Sequence, residues 1–187
     1  MPTPITHIIA SIPMNSTVMR KTNTKKILFW SFVIAVIPDL DLIGNVPINN
    51  IFGHRGFTHS LIFALLLTLL ASVMFWREFK NDKSRFYLIS LNFLLVAMMH
   101  PFLDAGTDRN YGVAFFSPWS NHRYSLPWAP INDKALGLWN YYVLGWWEIF
   151  KVEAVIIFVA IAYTWLWHKY VLKTKFHLLK KEKFEKM

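Results

Sequence analysis

The stretch from Ser60 to Trp76 reads SLIFALLLTLLASVMFW and carries no charged side chain over seventeen residues. A helix that crosses a bilayer needs about 17 to 25 predominantly apolar residues, so this stretch predicts a membrane span. Three other apolar runs accompany it: Ile27 to Ile43, Phe86 to Phe102, and Ala154 to Trp167, the last lengthened by the residues from Val143 onward. The sequence therefore predicts an all-α fold, a polytopic membrane helical bundle with four spans.

The composition supports the same class. Hydrophobic residues make up 55% of the 187 residues and charged residues 17%, and nine Trp with sixteen Phe exceed what a soluble core of this size needs. We treat residues 1–187 as a single membrane-embedded domain. The net charge of +9 lies largely in a basic tail, residues 169–187, whose place after an apolar run favours anionic lipid headgroups, so we expect membrane lipids and no nucleic acid as partners.

The distribution of Lys and Arg predicts the orientation. Basic residues concentrate in Arg20–Lys26, in Arg77–Arg85 and in the C-terminal tail, and cytoplasmic loops retain such an excess. We therefore predict a multi-pass protein of the cytoplasmic (inner) membrane with a cytoplasmic C-terminus. The stretch Ile5–Met19, interrupted by Pro13, predicts a possible fifth helix packed on the others, and the sequence leaves open whether it crosses.

Ionisable side chains collect at the ends of spans that this topology puts outside. Such groups are costly near the hydrocarbon and need a partner or a function. They are Asp39, Asp41, His54, His59, His100 and Asp104, with His7 at the outer start of the N-terminal helix. Because the chain has no cysteine, a metal must be held by nitrogen and oxygen ligands. These seven residues predict a site for one or two divalent transition metal ions, zinc first and manganese second.

The spacing within two of these groups suits a shared site. His100 and Asp104 are four residues apart, which puts both on one face of a helix. Asp39 and Asp41 would diverge on a regular helix. Because Pro38 interrupts the hydrogen-bond ladder, we expect locally extended backbone that turns both carboxylates to one side.

The block between the first two spans reads His54-Arg55-Gly56-Phe57-Thr58-His59. Gly53 and Gly56 predict a tight turn there, and Thr58 is the expected N-cap of the second span. A single His or Asp at a span end is often only interfacial, so a structural polar cluster holding the helices together is the main alternative to a metal site. His122 is expected to be a solvated loop residue or a substrate contact, and His168 and His177 are assigned no chemistry.

The Pro38–Asp41 stretch, the HRGFTHS block at residues 54–60, and His100 with Asp104 together resemble the YdjM-like family of membrane-bound, metal-dependent hydrolases, some of them LexA-regulated. The match runs in order and spacing from His7 to about Pro118. The resemblance implies a helical membrane protein with metal-dependent hydrolase activity. A looser likeness joins His100 and Asp104 to the all-helical zinc phospholipase C group. The second H-x-x-x-E pair of that group is missing here, which argues against a three-metal site.

These observations predict hydrolysis of a phosphoester, on a lipid or lipid-linked substrate, at the outer face. Metal would lower the pKa of a coordinated water to about 7, and a second ion would stabilise the leaving oxygen. The catalytic candidates are Asp39, Asp104 and Arg55, and the sequence does not say which carboxylate acts as base. Arg55 and Arg123 are candidates for gripping phosphate, although Arg55 could instead pair with Asp39 or Asp41.

The outer loop Tyr111–Tyr142 carries Trp119, Trp128 and Trp139, which suit the headgroup level. It would either admit a lipid substrate or form a plain interfacial belt. The rival function is a non-catalytic membrane protein whose cluster is structural or senses metal. Transport is disfavoured because the second and third spans offer few polar residues for a path.

Overall fold

The computed structural model describes residues 3–16, 24–44, 46–107, 111–127, 151 and 153–170. Within these ranges the chain forms five α-helices. They are α1 (Pro4–Asn15), α2 (Thr24–Val36), α3 (Leu61–Phe79), α4 (Lys83–Thr107) and α5 (residues 153–170). Two 3₁₀ segments lie between them, Ile37–Gly44 directly after α2 and Phe57–His59 before α3.

Three helical segments are long and apolar enough to cross a membrane, and they confirm three of the predicted spans. They are Lys25–Gly44, Leu61–Phe79 and Lys83–Gly106. Helix α5 lies where the sequence predicts a fourth span, but it is not among the three segments of sufficient length and hydropathy. The fourth span stays a prediction, and the tail beyond residue 170 lies outside the described residues.

Helix α1 confirms the predicted N-terminal helix. Pro4 occupies its first turn, where a missing N–H costs nothing, and the Thr3 side chain accepts a hydrogen bond from the Thr6 N–H. Its 12 residues give a length of about 18 Å, too short to cross about 30 Å of hydrocarbon alone. The Thr3 N–H also donates to the Glu153 carboxylate at the start of α5. Helix α1 is therefore packed between longer elements.

Helix α3 shows how the bundle divides between protein and lipid. Its side toward α2 and α4 is buried and includes Ala64, Ala71 and Phe75, and the two alanines let neighbouring backbones approach closely. Its other side exposes large apolar side chains. These are Leu65, Leu66, Leu69, Leu70, Val73, Met74 and Trp76. An outward apolar surface of this extent fits a hydrocarbon solvent and not water.

Contacts between helices fix their directions. The His7 ring, near the start of α1, stacks on His100 near the end of α4, while Asn15 at the end of α1 bonds to Asn92 in the middle of α4. His59, just before α3, also reaches His100. One end of the bundle thus gathers the starts of α1 and α3 with the ends of α2 and α4.

A buried polar network joins α1, α2 and α4 away from that end. Ser31 donates to Asn15 Oδ1 at 2.8 Å, and Asn92 Nδ2 lies 2.9 Å from the same oxygen and 3.2 Å from Ser31 Oγ. All three side chains are buried. The network anchors the short α1 against the two spans beside it.

Candidate metal centre

The loop between α2 and α3 is folded tightly around two glycines, as the sequence predicts. A Cβ at Gly53 would lie 2.2 Å from the Pro47 carbonyl oxygen, and a Cβ at Gly56 would lie 2.3 Å from that of Ile51. Both distances are far below contact, so only glycine fits at either position. This close winding turns His54 and His59 toward the end of α4.

The cap of α3 differs from the prediction. Ser60, and not Thr58, is the N-cap, because its side chain accepts a hydrogen bond from the Phe63 N–H at 3.1 Å. Thr58 instead donates to Asp41 Oδ2. The prediction was wrong because the 3₁₀ turn Phe57–His59 delays the start of the helix by two residues.

The expected extended backbone around Asp39 is also wrong. Residues Ile37–Gly44 continue α2 as a 3₁₀ helix, in which residues two apart do not share a face. Pro38 does end the α-helical ladder, since it has no N–H to donate. The two carboxylates consequently face different atoms: Asp39 lies near the Nε2 atoms of His59 and His100, and Asp41 lies near the Nδ1 atoms of His54 and His59.

Six of the seven predicted ligands converge at this end of the bundle. They form two overlapping groups in which one donor atom from each residue lies within 4.8 Å of the others: Asp39, His54, His59 and Asp104, and His7, Asp39 and His100. His59 Nε2 lies 3.1 Å from Asp104 Oδ2 and 3.6 Å from Asp39 Oδ1, while His100 Nε2 lies 3.4 Å from Asp39 Oδ1. The structure thus brings these six side chains together at one end of the bundle.

Three of the histidines are held from behind through Nδ1. The Nδ1 atoms of His54 and His59 lie 2.7 and 3.3 Å from the two oxygens of Asp41, and His100 Nδ1 lies 2.7 Å from the Ala35 carbonyl oxygen. Because these oxygens only accept, Nδ1 is the donor in each contact, and Nε2 is the nitrogen left for a metal. Such outer partners are typical of histidines that bind metal. Asp41, the seventh predicted ligand, thus lies behind two rings and outside both groups.

The pKa values of the two loop histidines, His54 and His59, shift in opposite directions. Burial lowers the pKa of His54, and its hydrogen bond to Asp41 offsets this only in part. Burial acts on His59 in the same direction, but hydrogen bonds to Asp104, Asp39 and Asp41 outweigh it and hold the pKa of His59 well above its ordinary value. The carboxylates around His59 therefore favour positive charge at this point of the cluster.

Two members of the cluster are buried without hydrogen bonds in the described part of the chain. Asp39 is 6% exposed and neither of its oxygens accepts one. His7 is fully buried and makes no hydrogen bond, and its Nε2 lies 3.6 Å from Asp104 Oδ1. Leaving such groups unsatisfied costs about 1 to 3 kcal/mol each, and more for a charged one. A bound metal would satisfy both, so the residues present fit a metal ion.

The two predicted phosphate-binding arginines lie beside the cluster. Arg55 is fully buried, adopts a left-handed backbone with φ of 62°, and puts Nε 3.7 Å from Asp104 Oδ2. This ion pair joins Arg55 to Asp104, whereas the sequence suggests Asp39 or Asp41 as its partner. Arg123 donates to the carbonyl oxygens of His54 and Ile48. Phosphate binding by either arginine stays a prediction.

Residues 111–127 cover this end of the bundle. The Ala114 N–H donates to the Arg55 carbonyl oxygen, and the Leu61 N–H donates to that of Phe115. Trp119 projects from this segment and is 78% exposed. Trp128 and Trp139, which the sequence places in the same outer loop, lie outside the described residues.

Sequence reasoning missed the outer partners of the histidines. The Ala35 carbonyl oxygen has no side-chain signal, although it becomes available because Pro38 and the 3₁₀ segment leave the last carbonyls of α2 without their usual donors. The sequence predicts Thr58 as the N-cap of the second span and not as a partner of Asp41 and His59.

Comparisons with known proteins find similarity to inner membrane proteins. A family model described as YdjM inner membrane protein matches residues 1–175. The inner membrane protein YbcI of Escherichia coli (strain K12) is 35% identical over 145 residues, which cover 75% of this chain and 82% of that protein. No solved structure matches.

Proposed function

The chain belongs to the YdjM inner membrane protein family, and we propose that it is a metal-dependent hydrolase that cleaves a phosphoester of a lipid or lipid-linked substrate. The observation that carries the proposal is the buried convergence of four histidines and two aspartates at one end of a membrane bundle. The ligands would be His7, Asp39, His54, His59, His100 and Asp104, with zinc or manganese as the metal.

A bound divalent metal would supply Lewis acidity, for activating water and for the charge on a phosphoryl oxygen. The chain's own residues do the rest. Asp41 and the Ala35 carbonyl hold three imidazoles in the tautomer that can bind metal. Asp39 and Asp104 are the two candidates for accepting a proton from water, and Arg55 keeps Asp104 charged and in place.

The rim of the cluster supports a lipid substrate. Residues next to the ligands along the chain are large, apolar and exposed: Leu40 and Ile43 follow Asp39, and Phe52 precedes His54. Phe116 and Trp119 are exposed on the covering segment. Such a rim suits the boundary between headgroups and acyl chains, where a phosphoester of a lipid is presented.

The charge distribution supports placing the cluster at the extracytoplasmic face. Most described Lys and Arg of the first four helices and their loops lie at the opposite end: Lys25, Lys26, Arg77, Lys80, Lys83 and Arg85. Lys26 at the start of α2 pairs with Glu78 at the end of α3, which ties these basic segments together. By the positive-inside rule that end is cytoplasmic.

The test is turnover by the full chain, purified in detergent and loaded with Zn²⁺ or Mn²⁺. Phosphatidate and phosphodiester phospholipids serve as substrates, and release of phosphate or headgroup is measured. Asp104→Asn is expected to lower turnover at least about a hundredfold, because it removes a charged ligand and a candidate base. The matched control is Asp82→Asn, in the half-exposed turn between α3 and α4.

Unchanged turnover by Asp104→Asn with full metal content would contradict the proposal. A metal-loaded wild-type protein that hydrolyses none of the substrates would favour the rival function, in which the cluster is structural or senses metal.

A further inference from the structure

We propose that the cluster binds two metal ions and that the carboxylate of Asp39 is shared between them. The inference rests on the proposed metal binding of this site but not on its hydrolase activity. It assigns each ion its own ligands, which the gathering of residues alone does not do.

The two donor groups overlap in one residue. Asp39, His54, His59 and Asp104 form one group, and His7, Asp39 and His100 form the other. His7 and His100 are absent from the first group. His100 borders it, because its Nε2 lies 3.1 Å from His59 Nε2 and 3.7 Å from Asp104 Oδ2. His7 is therefore the donor set furthest apart from an ion in the first group. A carboxylate has two oxygens and can give one to each of two adjacent cations, whereas each imidazole serves only one.

The second group contains a buried side chain without hydrogen bonds that is absent from the first group, His7. A single ion in the first group would engage Asp39 but would leave His7 fully buried, with no hydrogen bond at either nitrogen and the Asp104 carboxylate 3.6 Å from Nε2. The His7 ring stacks on His100 with centroids 3.9 Å apart and planes inclined by 17°. Two parallel imidazoles beside an unsatisfied carboxylate have the composition of a second metal site.

The two sites differ in the number of protein ligands. The first group offers four donors, as many as a closed tetrahedral site contains, and the second offers three, which leaves a position for water or substrate. We therefore expect one tightly held ion and one that exchanges more readily. An open position on the second ion, beside Asp39, suits the proposed hydrolysis.

The experiment uses the full chain in detergent with Mn²⁺ as the probe. Bound metal is counted after equilibrium titration, and electron paramagnetic resonance reports whether two ions are magnetically coupled through a shared ligand. The wild type is expected to bind about two equivalents with a coupled signal. His7→Ala is expected to keep about one equivalent with the spectrum of an isolated ion, and His122→Ala, on the exposed loop, is the control.

A wild-type chain that saturates at one equivalent would overturn the inference, and this result depends on no variant folding correctly. Two equivalents without coupling would also overturn the shared carboxylate. Retention of about one equivalent by His54→Ala, with the signal of the other ion, is expected from the division of ligands. Failure of the hydrolase proposal is distinguishable, because a chain with two coupled ions and no turnover keeps this inference and loses that function.

Discussion

At the scale of single residues, the two aspartates that follow Pro38 have separate roles. Asp39 faces the histidine nitrogens at the centre of the cluster, whereas Asp41 accepts from His54 and Thr58 and lies 3.3 Å from His59 Nδ1. At the proposed metal site, the carboxylate of Asp41 would therefore act on the metal through the rings that it orients. The 3₁₀ winding of Ile37–Gly44 is what separates the two side chains.

This difference predicts the behaviour of Asp41→Asn. The amide has one accepting oxygen, so it keeps the bond to one ring and loses the bond to the other, and it adds no charge. Metal affinity should therefore fall about 10- to 100-fold while the number of ions at saturation is unchanged. Competition against a chelating dye measures both quantities. Asp82→Asn should leave them at the wild-type values.

A loss of metal equivalents in Asp41→Asn, rather than of affinity, would contradict this assignment. It would show that Asp41 binds metal directly, as the sequence predicts.

The histidines and aspartates of the cluster could be identified from the sequence, because ionisable side chains at span ends are costly without a partner or a function. Their division into ligands and outer partners could not, since it depends on which ring nitrogen faces which oxygen. Arg55 shows the same limit. The sequence suggests a partner at Asp39 or Asp41, and the fold of the loop turns its guanidinium toward Asp104 instead.

At the scale of elements, the loop before α3 depends on the absence of a side chain at Gly56. A methyl group there would meet the Ile51 carbonyl oxygen at 2.3 Å, and this backbone atom cannot turn aside as a side chain could. Gly56→Ala should therefore cost about 2 to 3 kcal/mol of stability and lower the apparent Tm in detergent by at least about 5 °C. It should also weaken metal binding, because His54 and His59 flank the turn.

Gly106→Ala is the matched control for this prediction. A Cβ at Gly106 would lie 3.5 Å from Leu126 Cδ1, an ordinary contact, and alanine is favoured over glycine within a helix. Its apparent Tm should equal or exceed that of the wild type. Equal losses in both variants would refute the steric argument.

The Asn15–Ser31–Asn92 network gives a second prediction about elements. Asn92→Ala removes two hydrogen bonds that hold α1 and α2 to α4, and such bonds between membrane helices average about 0.6 kcal/mol. We expect a loss of about 1 kcal/mol in unfolding titrations. Metal content should be unchanged, since Asn92 lies eight residues, or about 12 Å, along α4 from His100.

Ser84→Ala, on an exposed turn of α4, serves as the control for Asn92→Ala. Loss of metal from Asn92→Ala would indicate that α1 must be anchored for His7 to reach the cluster.

Helix positions were predictable to within a few residues wherever an apolar run was long. Hydropathy alone did not reveal the ends, where the 3₁₀ segments after α2 and before α3 put the site residues in place. These short turns follow from Pro38 and from the two loop glycines, whose effect depends on contacts with distant backbone.

At the scale of the whole molecule, alternation of helix direction explains why distant parts of the sequence meet. The chain runs away from the cluster along α1, returns along α2, leaves along α3 and returns along α4. The candidate ligands therefore come from the start of α1, the end of α2, the loop before α3 and the end of α4. The order of the spans predicts that these residues share one end of the bundle. Their contacts could not be predicted, because these depend on how α1 packs against α2 and α4.

The same alternation makes orientation testable, because the chain has no cysteine and one introduced thiol is unique. Trp119→Cys marks the cluster end and Lys80→Cys the opposite end, and both native side chains are exposed. In spheroplasts, a membrane-impermeant maleimide should label Trp119→Cys, and Lys80→Cys should react only after lysis. The reverse pattern would put the cluster at the cytoplasmic face of the membrane. The proposed lipid substrate would then have to come from the inner leaflet.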